Sequence, residues 1–154
     1  MIKPYIIFID GQDRCGKSSV VKDVFKDTGM IHNVIDRGPM SNMVYSKMYN
    51  RAIDTKLYKN ILKDINIITI YLNPSTKTLE NRTIASKDFG VPLNEIKYHK
   101  KMFNNVYNEI KDFPNVFCIN NSNLTIQQTI NKIVKIIKKM EGVDNEKRKN
   151  SKRI

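Results

Sequence analysis

The run Tyr5-Ile6-Ile7-Phe8-Ile9-Asp10, followed by Gly11-Gln12-Asp13-Arg14-Cys15-Gly16-Lys17-Ser18-Ser19, constrains this 154-residue chain more than any other stretch. A continuous apolar run suits a strand buried on both faces, as in a parallel sheet. Past Lys17 the period changes to that of a helix: Val20, Val21, Val24 and Phe25 share a face, and Gly29 offers a stop. Between the two lies the pattern G-x-x-x-x-G-K-S. Four residues between glycines let the backbone curl until successive N–H groups point inward as an anion nest. The glycines take shapes that other residues resist, and the helix behind adds its positive N-terminal end. The order strand, loop, helix therefore predicts a phosphate-binding turn built from Gly11, Asp13, Cys15, Gly16, Lys17, Ser18 and Ser19. Lys17 would reach the outer phosphates of a nucleotide, and the Ser18 hydroxyl would ligate Mg²⁺. Cys15 fills the loop as a small residue.

Further apolar runs alternate with helical periodicity, without internal repeats. Asn33–Asp36, Ile67–Leu72 and Asn115–Ile119 read as strands. Helical spacing covers 40 to about 62, then Ile96, Phe103, Val106, Tyr107 and Ile110 up to the stop at Pro114, then Ile126, Ile130, Ile133, Val134 and Ile137. Asn73-Pro74-Ser75 supplies helix-start chemistry. This alternation predicts an α/β fold: a mostly parallel sheet of about four strands, flanked by helices in three layers. Ligands of such sheets bind beyond the carboxyl ends of the strands, which places Asp10 to Ser19, Asp36-Arg37 and the Asn73 region on one rim.

Charge and composition narrow the partners. Against 27 Lys+Arg stand 15 Asp+Glu, a net +12, which favours polyanions without choosing among nucleotides, nucleic acid and acidic membranes. The stretch "NEKRKNSKRI" is nearly all polar and basic, so the expected division is a domain over 1–140 and a basic, frayed tail over 141–154. Cys15 and Cys118 make neither a disulfide framework nor a zinc cluster. No apolar stretch approaches the roughly twenty residues that cross a bilayer. Met1 to Pro4 runs straight into the first strand, leaving no room for a signal peptide. Together these predict a cytoplasmic protein. His32 and His99 lack metal-ligand spacing and read as surface residues.

The hexapeptide Asp13-Arg14-Cys15-Gly16-Lys17-Ser18 resembles the loop of the thymidylate kinase group of P-loop kinases. That resemblance implies a P-loop sandwich using ATP and Mg²⁺, with Arg14 on the transferring phosphoryl group and Asp13 facing the acceptor nucleotide. Asp36-Arg37-Gly38 is similar to an Asp-Arg pair of thymidylate kinases and phage-type deoxynucleotide kinases. There the aspartate supports Mg²⁺ or the attacking oxygen, and the arginine holds the acceptor phosphate. On this likeness Lys17, Arg14 and Asp36 are catalytic, Ser18 and Asp36 serve the metal, and Asp13, Arg37 and Arg82 bind substrate; Tyr45, on the helix from Met40, is a further substrate-binding candidate. A softer match, "IYLNPSTKTLENR", leads into "RTIASKDFG", either a lid carrying Arg82 and Lys87 or an ordinary surface loop. Thymidylate kinases place a long acceptor-binding segment before the Asp-Arg strand, whereas Gly29 to Asn33 is nearly all that stands here. A shortened phage- or virus-like nucleotide kinase is the nearer likeness, with base contacts sought among Tyr45, Tyr49, Arg51 and Tyr98.

The implied reaction is phosphoryl transfer from ATP to a (deoxy)nucleoside monophosphate. Two alternatives accompany it: a polynucleotide 5′-hydroxyl kinase, and a non-catalytic ATP-binding module. The expected partner is a small nucleotide and not a membrane. Nucleic acid on the basic surface and tail, and a second copy in a homodimer, stay open.

Overall fold

The structure, a computed structural model, describes residues 1–86 and 90–151. Its order is β1 (Ile6–Asp10), α1 (Lys17–Asp27), β2 (Asn33–Asp36), α2 (Pro39–Met48), α3 (Thr55–Lys63), β3 (Ile67–Leu72), α4 (Thr76–Ala85), a 3₁₀ turn (Leu93–Glu95), α5 (Ile96–Ile110), β4 (Val116–Ile119) and α6 (Ile126–Ser151). The strands form one sheet in the order β2-β1-β3-β4, every pair parallel. The expected α/β class, strand positions and parallel sheet are all present.

β3 explains why a continuous apolar run becomes a central strand. All six of its residues are buried. Ile68, Ile70 and Leu72 face one core with Ile7, Ile9, Val20, Val24, Ile130, Ile133 and Ile137. Tyr71 faces the other, with Met40, Met43, Val44, Leu62, Phe103, Val106 and Ile110. α1 and α6 thus cover one face, and α2, α3 and α5 the other. Each fully buried Ile or Leu contributes about 1.5–3 kcal/mol relative to exposure, so both layers hold the rim in place.

The helix expected over 40 to about 62 is two helices. α2 ends where Asn50 takes a left-handed conformation (φ 52°), and the Arg51 N–H closes onto the Ser46 carbonyl at 2.8 Å. Asp54 then caps α3, its carboxylate accepting the Leu57 N–H at 3.0 Å. Phe25 and Ile126, expected on apolar helix faces, are 38% and 58% exposed. Ser75 caps α4 as expected, accepting the Thr78 N–H.

His32 is not a surface residue. It is buried, its Nδ1 accepts the Tyr5 N–H at 3.0 Å, and its Nε2 lies 2.6 Å from Glu141 Oε1. The proton is therefore on Nε2, and the ring ties the start of the sheet to α6. α6 itself continues through the segment expected to be a tail, as far as Ser151. Among the described residues no helix is long and apolar enough to cross a membrane.

Candidate functional site

The rim at the carboxyl ends of β1 and β2 holds a cleft of about 690 Å³. One wall is the loop between β1 and α1. Gly11 sits at φ 146° with the Leu72 carbonyl and the Cys15 thiol where a side chain would go, 2.6 Å from an ideal Cβ. Gly16 is left-handed too (φ 100°), and so, against the usual preference, is Arg14 (φ 67°). Three residues with positive φ fold the chain tightly enough to bring Lys17 back on it. The Lys17 ammonium is buried, 2.9 Å from the Gln12 carbonyl and 3.6 Å from Cys15 Sγ. Burial pushes the Cys15 thiol above its ordinary pKa, the neighbouring Lys17 opposing it. It packs as a small apolar residue under Gly11. Ser18 and Ser19, in the first turn of α1, are exposed and line the cleft.

Asp36 ends β2, is exposed, and faces the same cleft, as does Arg37 beside it. Arg37 is left-handed (φ 69°) and reaches across to the loop: Nη2 lies 2.6 Å from Asp13 Oδ1, and Nη1 donates to the Tyr45 hydroxyl at 3.1 Å. Its guanidinium also stands over the Tyr45 ring, 5.4 Å from the centroid. Arg82, at the end of α4, donates from Nη1 to the Arg14 carbonyl at 2.9 Å. The Arg14 guanidinium lies against the backbone of Gly90, where an added Cβ would meet Nη2 at 2.9 Å. Lys87, the other cation expected of the lid, lies outside the described residues. Among the described residues, Arg14, Lys17, Arg37 and Arg82 thus face Asp13 and Asp36 around one cleft: four cations against two carboxylates. That imbalance suits a polyanion.

Two remaining parts were not legible beforehand. After β4, Asn121 donates its amide to the Cys15 carbonyl at 2.9 Å and lines the cleft with Leu124, Ile126 and Thr129. These form a partly apolar third wall, 106 residues from the loop they brace. The rule that ligands sit at strand ends could have pointed there through β4. Asp10, the last residue of β1, is fully buried and accepts hydrogen bonds from Gly38 and Ser41 through Oδ1, while Oδ2 has no partner among the described residues. Burial raises its pKa, with the Ser41 and Gly38 donors opposing.

The aromatic candidates divide. Tyr45 stands beside Arg37, packed edge-on against Phe103. Tyr49 stacks on Tyr45 and lies under Arg51, while Tyr98 packs against His99; none of Tyr45, Tyr49, Arg51 and Tyr98 lines the cleft, and Tyr45 reaches it only through Arg37. His99, expected at the surface, is 5% exposed on the inner side of α5. Burial lowers its pKa, Glu95 and Asp13 pulling the other way.

No protein-family model matches the chain. Two curated proteins match in part: a cytidylate kinase of Phocaeicola vulgatus, 39% identical over 82 residues, and one of Porphyromonas gingivalis, 35% identical over 82 residues. Each match covers 49% of this chain and 34% of the relative, so the chain matches about a third of those proteins' length. Among solved structures, the YorR protein of Bacillus subtilis, crystallised in complex with phosphorylated GDP, superposes with a TM-score of 0.72 at 16% identity. That likeness covers 86% of this chain and 95% of YorR. Thymidylate kinase from Candida albicans gives 0.62 at 15% identity, over 90% of this chain and 93% of the kinase. The fold is that of P-loop nucleotide kinases.

Proposed function

We propose that the chain transfers the terminal phosphoryl group of ATP to a (deoxy)nucleoside monophosphate. The observation that carries this reading is the meeting of two anion-binding parts in one cleft: the curled loop with buried Lys17, and Arg37 clamped between Asp13 and Tyr45. A loop alone argues for nucleotide binding. A second guanidinium across the same cleft argues for a second phosphate-bearing molecule. The partial cytidylate kinase matches and the thymidylate kinase fold support it.

In this reading the loop amides and Lys17 hold the donor's phosphates, and the base lies along Leu124 and Ile126. Arg14 and Arg82 stabilise charge on the equatorial oxygens of the group in transfer, where such catalysis gains most. Arg37 holds the acceptor phosphate. The oxygen donors available to a magnesium ion are the Ser18 hydroxyl and the Asp36 carboxylate, both on the cleft. That is the donor set a hard cation takes, and the ion when bound neutralises phosphate charge. A monophosphate attacks through an oxygen that is already anionic, so Asp36 need not remove a proton. The P–O bond to the departing ADP breaks as the bond to the acceptor phosphate forms. The short link between α1 and β2 is the reason to place the chain nearer to shortened, phage-type kinases than to full thymidylate kinases.

The test is ADP release and radiolabel transfer from ATP and Mg²⁺ with each ribo- and deoxynucleoside monophosphate. CMP, dCMP and dTMP head that panel, and nucleosides and a 5′-hydroxyl oligonucleotide complete it. At least one monophosphate should give a labelled diphosphate. Labelling of the oligonucleotide alone would move the acceptor to nucleic acid, and ATP binding without transfer would leave a binding module.

A further inference from the structure

Arg37 can clamp Asp13 only if the turn carrying it is held, and the sheet holds it from both sides. The Arg37 N–H donates to the Ile9 carbonyl at 3.0 Å, continuing the ladder between β1 and β2. The next N–H, that of Gly38, donates to Asp10 Oδ1 at 3.0 Å. Peptides on either side of a left-handed arginine are thus anchored to successive residues of β1. Close approach is needed for this, and Gly38 permits it: an ideal Cβ there would lie 2.4–2.7 Å from atoms of the Phe8 side chain.

Asp10 does a second thing at the same point. α2 starts at Pro39 after a glycine with no side chain, so its own sequence supplies no cap. Asp10 Oδ1 accepts the Ser41 N–H at 3.2 Å and the Ser41 hydroxyl as well. A carboxylate from another strand thereby satisfies the first-turn donors that a local Ser or Asp normally takes. The other oxygen, Oδ2, is buried and has no partner among the described residues, so the cap uses one acceptor atom and not the whole carboxylate.

We propose that Asp10 is a positioning residue for the acceptor side of the cleft: by capping α2 from β1 it fixes the Asp36-Arg37-Gly38 turn and aims Arg37 at Asp13. The kinetic part rests on the phosphoryl-transfer reading given above, whereas the structural part does not. Because one oxygen does the capping, an amide should serve nearly as well as a carboxylate, and an alanine should not.

Asp10→Asn, Asp10→Ala and Ser41→Ala are compared with the wild-type full chain, first by amide hydrogen exchange without ligand. Asp10→Ala should speed exchange across residues 37–42 at least tenfold and leave 11–18 unchanged, with Asp10→Asn within about threefold of wild type. Ser41→Ala, which keeps the Gly38 bond, should give a smaller acceleration confined to 38–42, and it carries the test if Asp10→Ala does not fold. In turnover with the best monophosphate of the panel, Asp10→Ala should raise acceptor KM at least tenfold while the ATP Kd stays within twofold. Asp10→Asn should keep both. Wild-type exchange across 37–42 in Asp10→Ala, or in Ser41→Ala where that variant carries the test, would overturn the proposal. So would an asparagine variant as impaired as the alanine, which would mean the charge itself is used. An equal loss of ATP affinity would make Asp10 a brace of the loop instead. If wild type phosphorylates nothing, the function reading fails and the exchange result still decides the capping role.

Discussion

Arg37→Ala separates what the clamp does for stability from what it does for an acceptor. In the folded chain Arg37 is roughly half exposed, its side chain at 46% and that of Asp13 at 31%. An ion pair of that exposure contributes about 0.2–1 kcal/mol. The guanidinium over Tyr45 adds about 0.5–1 kcal/mol. The loss in stability should therefore stay below about 2 kcal/mol, a fall in Tm of no more than roughly 8 °C for a domain of this size. Under the proposed function the acceptor should lose far more. Removing one partner of a hydrogen-bonded charge pair costs about 2–5 kcal/mol where the pair is desolvated. At about 1.4 kcal/mol per factor of ten, that should lower kcat/KM for the monophosphate roughly 30- to 4000-fold. ATP affinity should move less than threefold, because Arg37 sits across the cleft from the loop amides. Arg37→Lys keeps the charge and loses the planar fork, so it should fall between. The assay is coupled ADP formation at saturating ATP with the acceptor varied, alongside calorimetric titration of ATP and a thermal melt. A kcat/KM within threefold of wild type would refute the reasoning and reduce Arg37 to a support for Asp13.

Two further outcomes follow from geometry elsewhere. Gly11→Ala would place a Cβ 2.6 Å from both the Leu72 carbonyl and the Cys15 thiol, at φ 146°. With about 1–3 kcal/mol of backbone strain added, the loop must shift, and ATP affinity measured by a fluorescent analogue should drop at least thirtyfold. Wild-type affinity would show that the loop tolerates the displacement. His99 is buried with its pKa lowered, so the unfolded chain takes up a proton before the folded one does. Its contribution to stability is full above the ordinary histidine range, near 6.5, and fades as pH falls below it. Melts between pH 7.5 and 5.5 should show a smaller fall in Tm for His99→Leu than for wild type; equal falls would count against the assignment.

What was legible in the sequence was what neighbouring residues dictate together. The run from Tyr5 to Ser19 names its own strand, turn and helix, because glycine spacing and the change from continuous apolar to helical period act within a few residues. β3 was equally plain, since burial on both faces leaves no polar position. The two-helix break at 49–54 was also local, in the Asp54 cap, but the spacing of Met40, Val44, Met48 and Ala52 runs through it. Contacts made across the fold left no such trace. Asp10 is 28 and 31 residues from the amides it caps, His32 is 109 from Glu141, and Asn121 is 106 from Cys15. A histidine without ligand spacing reads as surface because a buried one needs partners that only topology supplies.

The short link from α1 to β2 has a structural consequence that bears on specificity. Among the described residues β2 is an edge strand, with three of its four residues exposed, so no segment beyond it closes over Asp36 and Arg37. Under the proposed function, whatever met an acceptor base on that side would come from the helices of the second layer. Tyr45 is placed for it: α2 carries it, its hydroxyl engages Arg37, and Phe103 of α5 packs edge-on against its ring. Because its hydroxyl and ring both meet Arg37, the proposed function would have one side chain serve the acceptor's phosphate and base instead of an inserted lobe.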